Sequence, residues 1–119
     1  MTWGEVELEP EVRDWILGLG QHGQETVAFY IDLLADRGPL LGEPHTRQLD
    51  GKLRELRFHM NELDMRLTYW IAPGRRIILL TVFRKTRMRE TAEVERAGRA
   101  LRRCVAERHT ADEDEEWTR

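Results

Sequence analysis

Residues 52–89, KLRELRFHMNELDMRLTYWIAPGRRIILLTVFRKTRMR, constrain the fold more than any other part of the chain. They contain three segments of strand character joined by two short connections. In the first, Leu56, Phe58 and Met60 share one parity; in the second, Met65, Leu67, Tyr69 and Ile71 do. A period of two is the signature of a strand that buries one face. Arg57 and His59 then point the other way, as do Arg66, Thr68 and Trp70, so an arginine from each of two strands is expected on one open face. The third segment, residues 77–83, is almost wholly apolar and β-branched, as a strand covered on both sides requires. Pro73-Gly74-Arg75 marks the turn before it.

Upstream, residues 3–8 alternate Trp3, Val6 and Leu8 with Glu5 and Glu7 and read as a strand at or near a sheet edge. Pro10 suits the first turn of a helix, with Glu9, Glu11 and Asp14 placed to favour its dipole. Val12, Trp15, Ile16 and Leu19 follow at helical spacing. Val27, Tyr30, Ile31 and Leu34 predict a second helix over residues 24–36, giving a helical hairpin that lids one face of the sheet. Arg37-Gly38-Pro39 ends that helix, and residues 45–49 lead into the sheet. Val94, Ala97, Leu101 and Val105 predict a basic amphipathic helix over residues 90–108. Residues 110–119, TADEDEEWTR, carry too little apolar surface to order themselves and are expected to form a disordered acidic tail.

The expected architecture is therefore a single α+β domain over residues 1–109, with the order β-α-α-β-β-β-α, an antiparallel-rich sheet and the tail beyond it. A chain of 119 residues is the size of one domain. Its single cysteine, Cys104, excludes an internal disulfide, and no apolar run approaches the roughly 18 residues of a membrane span. Residues 1–11 are acidic rather than basic, so no secretory signal is read there and the cytoplasm is the default location.

The net charge of -3 conceals an uneven distribution. Residues 1–43 carry two basic and nine acidic side chains, residues 44–106 fifteen and seven, and residues 107–119 two and six. A basic middle flanked by acidic ends points to a polyanion-binding surface on the sheet and last helix. The histidines His22, His45, His59 and His109 have no partner at i, i+4, so no metal site is expected. There is also no phosphate-cradling glycine loop and no GxSxG. A conventional hydrolase or nucleotide-binding enzyme is not indicated.

The run LDGKLRELRF, followed by RLTYWIAPGRRIILLTVFRKTRMRETAEVERAGR, resembles the RelE/ParE superfamily of bacterial toxins, in particular its HigB-like branch related to phage-derived Gp49 proteins. That branch pairs a G-L-x-E-L-R strand with an arginine-initiated strand, an apolar strand ending in F-x-K-K-T, and a helix with spaced glutamate, arginine and alanine. The matching residues are Lys52 to Arg57, Arg66-Leu67, Phe83-Arg84-Lys85-Thr86 and Glu95-Arg96-Ala97. The likeness covers about the last two-thirds of the domain.

The resemblance implies a RelE-like fold and a ribosome-dependent messenger endonuclease needing no metal or cofactor. Its partners would be the ribosome, mRNA and a HigA-like helix-turn-helix antitoxin, with no membrane. The 2′-hydroxyl of one nucleotide attacks the adjacent phosphate, and the enzyme stabilises the charge that builds on it. Arg57, Arg66, Arg84 and Lys85 are the catalytic positions it implies. Lys52, Arg54, Arg87 and Arg89 would hold phosphates, with Tyr69 and His59 as further RNA-binding groups. Relatives often carry a tyrosine or histidine near the last helix; Thr91 to Glu95 offers neither, which leaves the general base unassigned. On the same fold, a ParE-like gyrase inhibitor or a non-catalytic antitoxin-binding module are the alternatives.

Overall fold

The structure, a computed structural model, describes the backbone of residues 2–117 and the side chains of residues 2–107. Strand β1 (Glu5–Leu8) leads into helices α1 (Pro10–Leu17) and α2 (Gln21–Arg37). Four consecutive strands follow, β2 (Thr46–Asp50), β3 (Leu53–Met60), β4 (Leu63–Ala72) and β5 (Arg76–Arg84), and then helix α3 (Thr91–Trp117). The sheet order is β1-β5-β4-β3-β2. Strand β1 runs parallel to β5, and every other pairing is antiparallel. The turns suit their residues: Gly51 and Gly74 have positive φ, and the two-residue β3–β4 turn places both Asn61 and Glu62 there. Two successive residues of that kind match the right-handed twist of a tight hairpin.

Two differences from the sequence expectation matter. The lead-in over residues 45–49 is largely strand β2, so the order contains one strand more than β-α-α-β-β-β-α. Its residues carry no alternation, because Arg47 and Gln48 are exposed at the sheet edge and only Thr46 is fully buried. The second difference is that part of the face opposite the helical hairpin is covered. Helices α1 and α2 pack Val12, Val27 and Leu34 against Leu56, Phe58, Leu67, Tyr69, Ile77 and Leu79, as the helical hairpin was expected to do. On that opposite face α3 lays Ala97, Ala100 and Cys104 on Leu53, Trp70, Ala72, Ile78 and Leu80. Small side chains let this helix sit close to the sheet, where the Trp70 indole N–H donates to Cys104 Sγ at 3.4 Å. The tail expected over residues 110–119 lies outside the residues whose side chains are described.

A β-bulge sets the register of the central strands. Thr68 pairs with Thr81 but Tyr69 with Leu79, leaving Leu80 as the extra residue on β5. Leu80 and Thr81 therefore both lie on the α3 side, and the Thr68 and Thr81 hydroxyls bond each other in the core. Beyond the bulge the alternation of β5 is reversed. Phe83, opposite Arg66, now belongs to the α3 face, and Arg84, opposite Met65, to the α1/α2 face.

Strand β1 pairs with β5 only as far as Leu79. The remaining edge is closed by side chains: Glu11 accepts the Val82 N–H at 2.9 Å, and Arg96 donates to the Val82 carbonyl at 3.1 Å while pairing with Glu11 and Glu93. This ties α1, β5 and α3 together and protects an exposed edge.

At the end of α2, Gly38 has φ 51°, and a Cβ placed on it would lie 2.3 Å from the Trp3 ring. Gly38→Ala is therefore expected to cost about 1–3 kcal/mol of stability from overpacking and backbone strain, read as a shift in urea midpoint.

Candidate functional site

The uncovered half of the α3 face lies beyond Val94, where β3, β4 and β5 end on the side of Met60. Two rows of residues cross the strands there. In one, Arg47 of β2 is in register with Glu55 of β3, and Glu55 with Thr68 of β4. In the next, Arg57 faces Arg66, and Arg66 faces Phe83. Two arginines directly opposite would repel one another. The carboxylates around them resolve this: Glu55 Oε2 stands 3.7 Å from Arg57 Nε and 3.5 Å from Arg66 Nε, and Asp64 pairs with the other side of Arg66. Arg66 also donates to the Met65 carbonyl at 3.0 Å.

Burial separates the roles of the two arginines. Arg66 is only 3% exposed, whereas the Arg57 side chain retains 30%. The sequence expectation of two arginines standing on an open face thus holds for Arg57 alone. Arg66 is an internal ion-pair partner that holds Glu55 in place, and Arg57 is the guanidinium that can meet a ligand.

Glu55 is the residue that the strand pattern did not single out. It is 7% exposed at the centre of the basic cluster. Burial pushes its carboxyl above the ordinary range; Arg66, Arg57, Arg47 and Lys85 pull it back without cancelling that effect. A signal was available in sequence, since Glu55 is the single acidic residue of KLRELRF and shares the parity of Arg57. Arg47 was missed because β2 has no legible alternation.

Lys85 joins the cluster from the far side. It lines a pocket of about 90 Å³ with Arg47, Glu55, Arg57, Arg66 and Phe83. Its backbone N–H donates to the Asp64 carbonyl at 2.7 Å, extending the β4–β5 pairing by one residue. The ammonium donates to the carbonyls of Arg87 and Met88, and Glu90 accepts the N–H groups of Thr86 and Arg87, both at 2.8 Å. Those two hydrogen bonds hold the Glu90 carboxyl below its usual range. The loop before α3 is thereby closed on itself and presents Arg87 and Arg89 to solvent.

Other expected site residues fall elsewhere. Tyr69 is fully buried on the α1/α2 face and cannot meet RNA. Arg54 sits on that face too, bonded to the Tyr69 hydroxyl at 3.3 Å and the Thr46 hydroxyl at 3.2 Å, so it is structural. The parity that puts Glu55 and Arg57 at the site necessarily puts Arg54 on the other side. Arg84 is exposed but is turned away by the bulge. Lys52 is exposed in the β2–β3 turn, at the opposite end of β3 from Met60. His59 is exposed beside Arg57 and lines a second cavity with Arg57 and Arg66. His109 lies outside the residues whose side chains are described. Among the described residues no group of three or more His, Cys, Asp or Glu could hold a metal ion, and no helix is long and apolar enough to cross a membrane.

Glu55 makes stability depend on pH. A carboxyl with a raised native pKa favours the native state while protonated, and that contribution is lost as pH rises through the native pKa. The stability of wild type minus that of Glu55→Gln is therefore expected to fall as pH is raised from below the ordinary carboxyl value of 4.5, then level off. Parallel urea titrations across that range measure it, and a difference that rises instead would contradict the burial of this group.

An antiparallel-rich sheet carrying a basic pocket, lidded by a helical hairpin and backed by a C-terminal helix, defines a protein of the RelE toxin fold. A solved structure of a double arginine-to-alanine mutant of the E. coli toxin RelE in the free state matches it with a TM-score of 0.59. That match covers 87% of this chain and 98% of the other at 14% identity. Among curated proteins none matches. The model of the phage-derived protein Gp49-like family matches residues 14–104, and the chain belongs to that family.

Proposed function

We propose that this protein is the toxin of a toxin-antitoxin pair, a HigB-like endonuclease that cuts messenger RNA on the ribosome and is held in check by a HigA-like helix-turn-helix antitoxin. The observation that carries this reading is the Glu55 carboxyl, its proton affinity raised by burial, set beside Arg57 and Lys85 at the mouth of a basic pocket.

That constellation suits transesterification of RNA. Glu55 accepts the proton of a 2′-hydroxyl, and a pKa moved up toward neutrality makes it a stronger base. The 2′-oxygen bonds to the adjacent phosphorus and the 5′-oxygen leaves, taking a proton from water, to give a cyclic phosphate and a free 5′-hydroxyl. Arg57 and Lys85 stabilise the charge on the phosphoryl oxygens. Arg66 acts through Glu55, fixing its position. Arg47, Arg87 and Arg89 extend the positive field toward the flanking backbone.

Inducing the protein alone is expected to stop protein synthesis before DNA synthesis, with rescue by the product of the adjacent gene. Pulse labelling with an amino acid and with thymidine tests this. DNA synthesis stopping first would replace the reading with gyrase inhibition, and arrest of neither would leave a non-catalytic antitoxin-binding module.

A further inference from the structure

The second cavity at the arginine pair has no part in the chemistry above. Its volume is about 380 Å³, within the range of roughly 300–1,000 Å³ typical of small-molecule sites. It exists because β2 starts late. Thr46 pairs with Leu56, and the His45 carbonyl takes the Arg57 N–H at 2.8 Å. From Phe58 onward β3 has no strand on that side, and the notch is walled by Tyr30 of α2, by His45, and by Phe58 and His59 of β3. Tyr30 stacks on Phe58 with centroids 5.1 Å apart and planes 23° apart, and its ring lies 6.4 Å from that of His45. Arg57 and Arg66 form the boundary between this notch and the Glu55 pocket.

Flat aromatic and imidazole surfaces next to a guanidinium match the two halves of a nucleotide: a base that stacks and a phosphate that takes a charged fork. We propose that the notch holds the base of an RNA nucleotide adjoining the phosphate at Arg57, with Tyr30, His45 and His59 as its base-contacting residues. This rests on reading the Glu55 pocket as an RNA-cleaving site and assigns the part of the surface that selects the nucleotide there. A phosphate on Arg57 lies on the border of the two cavities, so one nucleotide spans both. His45 and His59 also supply ring nitrogens able to donate to or accept from a base edge.

The test separates base from phosphate. The isotope-labelled full chain is titrated with inorganic phosphate and with each of the four nucleoside 3′-monophosphates, followed by backbone amide NMR. Inorganic phosphate is expected to move Arg57 and Lys85. The mononucleotides should in addition move Tyr30, His45 and His59, with at least one base preferred. His45→Ala, whose backbone carbonyl still holds Arg57, should weaken mononucleotide binding about tenfold or more and leave inorganic phosphate binding unchanged. Mononucleotides that shift no residue of the notch, or that bind no better than inorganic phosphate, would overturn the proposal. Messenger cleavage by the wild type reports separately on the proposed function: notch binding without cleavage would retain the base site and discard the nuclease, and cleavage without notch binding the reverse.

Discussion

Alanine at Arg66 is expected to lower the stability of the protein by about 3–5 kcal/mol, the cost of stripping one partner from a buried ion pair. Arg66 is 3% exposed and engages Glu55, Asp64 and the Met65 carbonyl. Its removal leaves the buried Glu55 with Arg57, at 3.7 Å, as its remaining ion-pair partner and opens a gap next to Phe83. Urea or thermal unfolding of the single mutant measures the loss. The double change Arg66→Met and Glu55→Leu, which replaces both charges by apolar groups, should recover much of it. A loss under about 1 kcal/mol for Arg66→Ala would mean that the guanidinium reaches water in solution. Loss of toxicity on changing Arg66 therefore says little about chemistry, because it is confounded with folding.

Arg57 and Glu55 carry the chemical test. Arg57→Ala keeps the core intact, since the side chain is partly in water and its backbone N–H still bonds His45. Cleavage of messenger in translating extracts, read by primer extension, should fall about a hundredfold or more with the fold unchanged by circular dichroism. Arg57→Lys should rescue poorly, keeping the charge and losing the fork. Glu55→Gln should fall comparably, and whatever activity remains should lose the acid limb of the pH profile, because the group that must be deprotonated is gone. Wild-type activity is expected to decline as pH drops through a value above the ordinary carboxylate range, the direction in which burial moves Glu55. Full cleavage by folded Arg57→Ala and Glu55→Gln would transfer the search to Arg87, Arg89 and α3.

The period-two pattern of residues 52–72 was enough to place Leu56, Phe58, Met65 and Leu67 on the core side and Arg57 and Arg66 together on the other. Side-chain alternation is a local property of a strand, and the apolar set must face inward whatever lies around it. The same alternation assigns Arg54 to the core side, against the phosphate-holding role that the resemblance implied. The strongly apolar residues 77–83 likewise made β5 a strand covered on both faces, as it is.

What the chain could not show by itself depends on contacts between residues far apart in sequence. Whether a face stays open is decided by where α3 docks, and its alanines lie over only half of it, leaving Arg57 accessible while Arg66 is enclosed. Burial, not residue type, then divides two arginines of similar appearance into a water-facing group and an internal counter-ion. The same burial raises the Glu55 carboxyl, which in an extended chain is an ordinary glutamate. The bulge at Leu80 is invisible in RIILLTVFR, yet by reversing the alternation of β5 it brings Lys85 to the pocket and sends Arg84 away. Sequence periodicity thus determined which way the strands face; tertiary packing decided which of the facing charges meet water, because desolvation and register are set by the neighbours a residue acquires only on folding.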